Sequence, residues 1–249
     1  MIVYLHMHKC AGTSVVRSAL SSGLRLPAMH QNGNLVDDAQ KPLKYRGMER
    51  EALIGLLQRQ RDDGVEFVAM EWDFPRFDLF GAMPGLRFFT SLREPVARAI
   101  SNFKMDKAAG WIAPDMRFAD YINGDALYRS DNYYTKILGQ LWPKDIATPA
   151  DLDRAVNVLA AFEAVIVIEQ GNMAHVLRKF GITLEPQRAN RFDAEQARAR
   201  LGDDRSLAVD RQEIGDFIAR NALDFALYRH FTRAIRVADD RQVRDRVYA

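Results

Sequence analysis

Cysteine is almost missing from this sequence: Cys10 is the only one in 249 residues. A single thiol excludes an internal disulfide and a cysteine-based metal cluster, and such scarcity fits a reducing compartment. The five histidines, at positions 6, 8, 30, 175 and 230, lack a spacing such as H-E-x-x-H, so no metal site is expected. No run of about 18 consecutive apolar residues occurs, which argues against a membrane span. The opening stretch Met1 to Met7 has no basic flank and no small-residue cleavage site, so it reads as a first strand, and cytoplasmic localisation is the expectation. An excess of one charge is lacking too. The 35 basic residues nearly cancel the 33 acidic ones, and a formal +2 gives no basis for holding nucleic acid by bulk charge. Any anionic ligand must therefore be held by local groups. Repeats, low-complexity tracts and linkers are also absent, so one domain over residues 1–249 is expected.

What the sequence does contain is alternation of strand and helix patterns. Ile2 to Met7 is a bulky apolar run, and Gly12-Thr13-Ser14 separates it from the helix-like Val15 to Leu20. Gly23 to Pro42 reads as a long loop, followed by a helical pattern from Met48 to Asp62. Phe67 to Glu71 and Leu86 to Leu92 read as strands, the second ending in Arg93-Glu94-Pro95, which starts a helix running to about Ala109. Both are continuous apolar runs, as strands buried on two faces require. Further helical patterns cover Met116 to Asn123, Asn132 to Leu138, Asp151 to Phe162, Met173 to Phe180 and Ile214 to Phe231, while Ala164 to Ile168 is the clearest strand. The predicted fold class is α/β: three layers, a central mostly parallel sheet flanked by helices, and a helical C-terminal part. The charged tail Arg233 to Arg246 reads as a solvated helix face.

The segment Lys9, Cys10, Ala11, Gly12, Thr13, Ser14 falls between a strand's carboxyl end and a helix's amino end, where free N–H groups and the helix dipole favour an anion. Glycine permits close approach, Thr13 and Ser14 add hydroxyls, and Lys9 adds a point charge. The segment departs from the nucleoside-triphosphate loop G-x-x-x-x-G-K-[ST]: Met7 stands at the first glycine and Thr13 at the lysine. That weighs against ATP with magnesium. The plainer reading is a lysine-bearing turn in which Thr13 or Ser14 caps a helix. An anion-binding loop can also lower a thiol pKa, which keeps Cys10 in view as a nucleophile. No ordered His and Asp accompany it, so its expected contribution is its backbone.

Arg93 stands at the end of a strand and Ser101 about two turns into the next helix, so an arginine fork and a hydroxyl can face one ligand. The plainer alternative pairs Arg93 and Arg98 with Glu94 or other acids at the surface. The two motifs together, Lys-x-x-Gly-Thr-Ser after the first strand and Leu-Arg-Glu-Pro-Val-x-Arg with a serine on the following helix, resemble the paired motifs of sulfotransferases that use 3′-phosphoadenosine 5′-phosphosulfate (PAPS). The branch most similar contains carbohydrate 2-O- and 6-O-sulfotransferases, which have a P-loop-like fold. The likeness continues through Asp131 to Gly139, the strand ending in Glu169, and Asn221 to Tyr228. The resemblance implies that Lys9, Gly12, Thr13 and Ser14, with the backbone of Cys10 and Ala11, hold the 5′-phosphosulfate, and that Arg93 and Ser101 hold the 3′-phosphate. It further implies transfer of a sulfuryl group to a hydroxyl-bearing acceptor, a sugar or a small molecule, leaving 3′,5′-adenosine bisphosphate (PAP).

Sulfuryl transfer demands in-line geometry and charge stabilisation at the leaving oxygen, a part Lys9 can take without a metal. The acceptor hydroxyl must also lose a proton. Where this family branch often has a Gly-His pair after the second strand, this chain reads Met70-Glu71-Trp72-Asp73-Phe74-Pro75. Glu71 is the first candidate base, with a pKa expected to be raised beside Trp72; Asp73 is second and His30 third. A capping or salt-bridged acid is the plainer role for Glu71. Trp72, Trp111, Tyr133 and Tyr134 are candidates for stacking a base or sugar, against the commoner fate of aromatics as core. The competing readings are a nucleotide kinase using the same loop and a binding protein without turnover.

Overall fold

The computed structural model describes residues 1–73, 77, 83–124, 126–185 and 207–232. The tail Arg233 to Arg246 and residues Phe74 and Pro75 lie outside them. Six strands form one sheet in the order β2-β3-β4-β1-β5-β6: β1 Ile2–Leu5, β2 His30–Gln31, β3 Asn34–Leu35, β4 Phe67–Met70, β5 Arg87–Leu92 and β6 Ala164–Val167. All neighbours are parallel except β2 and β3.

The alternation of side chains along a strand explains the layers. Ile2 and Tyr4 of β1, with Phe67, Ala69, Phe89 and Ile166, pack under α1 (Gly12–Ser21) and α7 (Met173–Lys179) through Val15, Val16, Ala19, Val176 and Leu177. Val3 and Leu5, with Val68, Met70 and Phe88, pack on the opposite face. Their partners are Leu53 and Leu57 of α2 (Arg50–Asp62), Ile137 and Leu138 of α5 (Tyr133–Leu138), and Ala155 and Leu159 of α6 (Pro149–Ala160). The result is the expected three-layer α/β arrangement with a mostly parallel sheet. A satellite cluster joins Ala99 and Phe103 of α3 (Pro95–Ala109) to Phe118 and Tyr121 of α4 (Phe118–Tyr121) and to Phe217 of α8 (Arg211–Arg220).

Three sequence expectations are corrected. The stretch from Gly23 to Pro42 contains the hairpin β2–β3, turned by Asn32 and Gly33, both at positive φ; an Asn-Gly pair is the residue choice such a turn demands. The helix expected from Ile214 to Phe231 is divided. The α8 helix ends where Asn221 spends its side chain on the Phe217 carbonyl and the Asn132 N–H, and residues 222–232 resume the helix. The expected helix over Met116 to Asn123 shortens to the single turn of α4.

Sheet register sets up the site. β1 lies between β4 and β5 with Leu5 opposite both Met70 and Thr90. Extending the register one residue brings His6 beside Glu71, and extending it three brings His8 level with Arg93. The carboxyl ends of central parallel strands are where open α/β sheets place ligands.

Candidate functional site

The loop after β1 is bent by two left-handed residues, Lys9 at φ 65 and Ala11 at φ 64. Each costs about 1–3 kcal/mol for a residue with a Cβ, and such strain persists only where surroundings impose it. Successive N–H groups in a loop bent in this way can form a concavity suited to an anion. Cys10 N–H is satisfied by the Met7 carbonyl at 3.0 Å. The N–H groups of Lys9, Ala11, Gly12 and Thr13 have no acceptor among the described residues. Helix α1 has no side-chain cap: its N-cap is Ala11, and neither Thr13 nor Ser14 folds back onto the backbone. The capping alternative for these hydroxyls is thereby overturned. Gly12 has a second purpose that the sequence did not reveal. A Cβ there would lie 1.8 Å from Nε2 of His6, so the imidazole occupies the glycine's missing side chain.

Lys9 directs its ammonium onto Met105 Sδ of α3 at 3.0 Å, a weak acceptor and no counter-ion. Burial, then the nearby Arg93 charge, pull its pKa down. Among the described residues, the Arg93 guanidinium makes only a long 3.5 Å contact to the Lys9 carbonyl, and its buried Nε has no partner. Neither cation has a carboxylate within ion-pair distance among the described residues. The expected surface pairing of Arg93 with Glu94 is not formed, because the Glu94 carboxylate caps α3 by accepting the Ala97 N–H at 2.7 Å. Arg98 is not a surface residue either. It is 2% exposed and stacks on Tyr133, its Cζ 4.1 Å from the ring centre. Ser101, half-buried on α3, lies one turn before Met105, so it shares a helix face with the contact made by Lys9.

Adjacent tyrosines of α5 hold the two motifs. The Tyr133 hydroxyl accepts the His8 N–H at 2.7 Å, and the Tyr134 hydroxyl bonds both the N–H and the carbonyl of Arg93. The tyrosines are themselves fixed because Asp224 accepts the N–H groups of Tyr134 and Thr135 at 2.9 Å each. Asn132, left-handed at φ 46, bonds the Arg220 carbonyl and the Leu223 N–H. The segments Asp131 to Gly139 and Asn221 to Tyr228 therefore clamp each other, and Tyr133 and Tyr134 are scaffold, not stacking surfaces. The Cys10 thiol lies 3.3 Å from the Tyr134 hydroxyl and is fully buried. Burial raises its pKa to about 11, against the opposing hydrogen bond, which corrects the lowered value expected of an anion-binding loop.

Glu71 sits at the end of β4 with one carboxylate oxygen 2.9 Å from His8 Nδ1 and the other 3.1 Å from His6 Nδ1, the second contact off hydrogen-bond alignment. Its N–H donates to Asn34 Oδ1 at 2.7 Å, so the hairpin also positions it. Burial alone would raise its pKa. The charge of His6 and the close contacts of both imidazoles with its oxygens outweigh burial and hold the carboxyl well below the usual carboxylate range. The raised value expected from Trp72 is reversed. Asp73 accepts the Arg46 N–H at 3.2 Å, and His30, on the edge strand β2, accepts the Gly33 N–H at 3.1 Å and braces the hairpin turn. The structure does not bring either to the pair of anion motifs.

Sequence reading missed His8 as a chemical group, and it missed Asp106, Tyr121 and Arg129. Asp106 of α3 is fully buried, accepts the Tyr121 hydroxyl at 2.8 Å, and has Arg129 at 3.5 Å from the same oxygen. Burial raises its pKa, with His8 and Lys9 among the charges opposing the rise. Its Oδ1, Arg129 Nε and both amide atoms of Asn102 have no hydrogen-bond partner. The one available signal was the spacing of Arg98, Asn102 and Asp106, each four residues apart, on one face of α3. The chain matches no protein-family model and no curated protein.

Proposed function

We propose that this protein is a sulfotransferase that moves a sulfuryl group from PAPS to a hydroxyl-bearing acceptor. The observation that carries the reading is a pair of cations, Lys9 and Arg93, that have no carboxylate partners among the described residues and flank the uncapped amino end of α1. Leaving half-buried cations and N–H groups without anionic partners is costly, and a ligand carrying two separate phosphate-type groups would satisfy both sets. In this assignment Gly12, Thr13 and Ser14, with the N–H groups of Ala11 and the loop, bind the 5′-phosphosulfate. Arg93 and Ser101 bind the 3′-phosphate. Lys9 stabilises charge on the bridging oxygen as the sulfuryl group departs.

Calorimetric titration with PAP, 5′-AMP and ATP with magnesium in one buffer tests the assignment. Strong preference for PAP over 5′-AMP is expected, because only PAP engages both motifs. Equal or tighter binding of ATP with magnesium would replace this reading with a phosphotransferase.

A further inference from the structure

We propose that His8 is the general base of the reaction, taking the acceptor's proton at Nε2 while Glu71 acts as a positioning residue at Nδ1. The proposal rests on the sulfotransferase reading and assigns a role that the sequence had given to Glu71.

The geometry separates the two nitrogens of His8. Nδ1 lies 2.9 Å from Glu71 Oε1, and a carboxylate only accepts, so Nδ1 carries the hydrogen. Nε2 then bears the lone pair, and it is buried with no hydrogen-bond partner among the described residues. A histidine serving only the core satisfies both nitrogens, because an unpaired buried polar atom costs about 1–3 kcal/mol. Here one side is fixed and the other is left to accept a proton, the arrangement by which a carboxylate fixes a catalytic imidazole's tautomer. The ring lies 5.2 Å from Trp72 and 5.0 Å from Tyr128, centre to centre, and Trp72 is 37% exposed, so this end of the site borders solvent. His8 is also the residue directly before Lys9, which puts the proton acceptor and the leaving-group cation on one strained loop.

Glu71 is ill suited to be the base itself. Both its oxygens face imidazoles, and a carboxylate held below its usual range has little affinity for a proton. It is suited to stabilise the imidazolium that forms. The groups facing His8 are Glu71 from β4, His6 and Lys9 on its own segment, and Asp106 from α3. Tyr128 faces its ring, and the Tyr133 hydroxyl takes its backbone N–H. Burial is the largest influence and lowers the His8 pKa, which keeps the imidazole neutral and able to accept.

The step balances. The acceptor oxygen forms a bond to sulfur, and the bond from sulfur to the bridging oxygen of the 5′-phosphate breaks. The bonding pair leaves with PAP beside Lys9, and the acceptor's proton passes to His8 Nε2 and then to solvent. No oxidant, reductant or metal enters the balance.

Three measurements decide the matter. Calorimetry with PAP comes first: wild type, His8→Gln and Glu71→Gln are expected to bind within about threefold of one another. If wild type fails to bind PAP, the sulfotransferase reading falls and this proposal with it. If wild type binds and only the following results fail, the base assignment falls alone. Release of PAP from PAPS with water as acceptor is then followed between about pH 4 and pH 8, a window that reaches well below the ordinary imidazole value because burial lowers that of His8. Wild type is expected to gain rate with pH to a plateau. His8→Gln should lose about 100-fold or more and the rise with it. Glu71→Gln should lower the plateau and move the midpoint to lower pH, because the imidazolium loses its carboxylate. A His8→Gln protein with wild-type rate and profile overturns the proposal. The last readout needs no turnover: in the nitrogen spectrum of the PAP complex near neutral pH, His8 must show a protonated Nδ1 and a bare Nε2, and the reverse tautomer also overturns it.

Discussion

Tyr134 holds Arg93 at both ends of one residue's backbone, its hydroxyl accepting the N–H at 3.1 Å and donating to the carbonyl at 2.7 Å. The same hydroxyl lies 3.3 Å from the Cys10 thiol, the ring is fully buried, and Asp224 fixes the backbone N–H of Tyr134. The position of Arg93 therefore depends on a side chain 41 residues away in sequence. Tyr134→Phe should cost about 1–3 kcal/mol, the penalty of leaving a buried backbone pair unsatisfied. PAP affinity should fall with it, while 5′-AMP affinity changes little. Urea unfolding and paired titrations check both parts; an unchanged ratio of the two affinities would separate the clamp from the 3′-phosphate site.

Gly12→Ala tests the packing of His6 against the amino end of α1. The added methyl would lie 1.8 Å from the imidazole, so the ring must move. Overpacking of this kind costs about 1–3 kcal/mol, more where the surroundings are rigid. Displacing His6 also disturbs its contact with Glu71. The double variant Gly12→Ala with His6→Ala should recover part of the lost stability, because the methyl then has space. Thermal denaturation of the four proteins in this cycle gives the coupling, and strict additivity would contradict the contact.

Lys9→Ala and Arg93→Ala should divide binding from catalysis. Lys9 is assigned to charge that develops only as the leaving oxygen departs, so its loss should lower kcat by about 10²–10³ and PAP affinity far less. Arg93 is assigned to a phosphate that does not change during the reaction, so its loss should chiefly weaken PAP binding. Steady-state kinetics on PAPS with PAP titrations of both variants supply the comparison. Observing the two effects exchanged would reverse the roles.

The layers, and the strand-to-helix junctions at Lys9 and Arg93, were legible because they depend on local pattern. Apolar runs at Ile2 to Leu5 and Ala164 to Val167 must be buried strands, and Pro95 after Arg93-Glu94 announces a helix start that the structure keeps. The chemistry around Glu71 was not legible, because it depends on register. Nothing in the order of residues says that position 71 falls beside position 6, and that neighbour reverses the direction of the Glu71 pKa. The same holds for Arg98, which sequence assigns to the surface as it would most arginines, and which the structure buries on Tyr133 from 35 positions along the chain. The Asn32–Gly33 turn was within reach of sequence reasoning, but its two-residue strands are too short to give an alternation signal.

Cys10 should resist alkylation in the folded protein. Burial raises its thiol to about 11, so at pH 8 the reactive thiolate is scarce as well as inaccessible. Iodoacetamide is expected to modify it at the rate of global or local opening, and urea should speed the reaction in step with unfolding. Labelling of the native protein as fast as of a free thiol would contradict the buried position and would reopen Cys10 as a nucleophile.

The His6–Glu71–His8 cluster gives stability a dependence on pH whose sign can be worked out. Glu71 has a lower pKa folded than unfolded, so its contribution is present above the unfolded value of about 4.3 and is lost as pH falls below it. His8 is also lowered, by burial first, so the unfolded chain takes up a proton near pH 6.5 before the folded chain does, and stability falls from there toward acid. Asp106 and Asp224 act oppositely: burial raises both, so their ionised forms cost stability at neutral pH and that cost is relieved on acidification. Whole-protein curves mix the two signs, so the informative quantity is a difference between variants. The stability gap between wild type and Glu71→Gln, measured by urea unfolding from about pH 2 to pH 8, should be widest near neutrality and narrow progressively below about pH 4.3. The gap for His8→Gln should narrow earlier, below about pH 6.5. A gap that stays constant across the range would mean that Glu71 carries no proton-linked contribution, and the two imidazoles would then be neighbours of the carboxylate without holding it ionised.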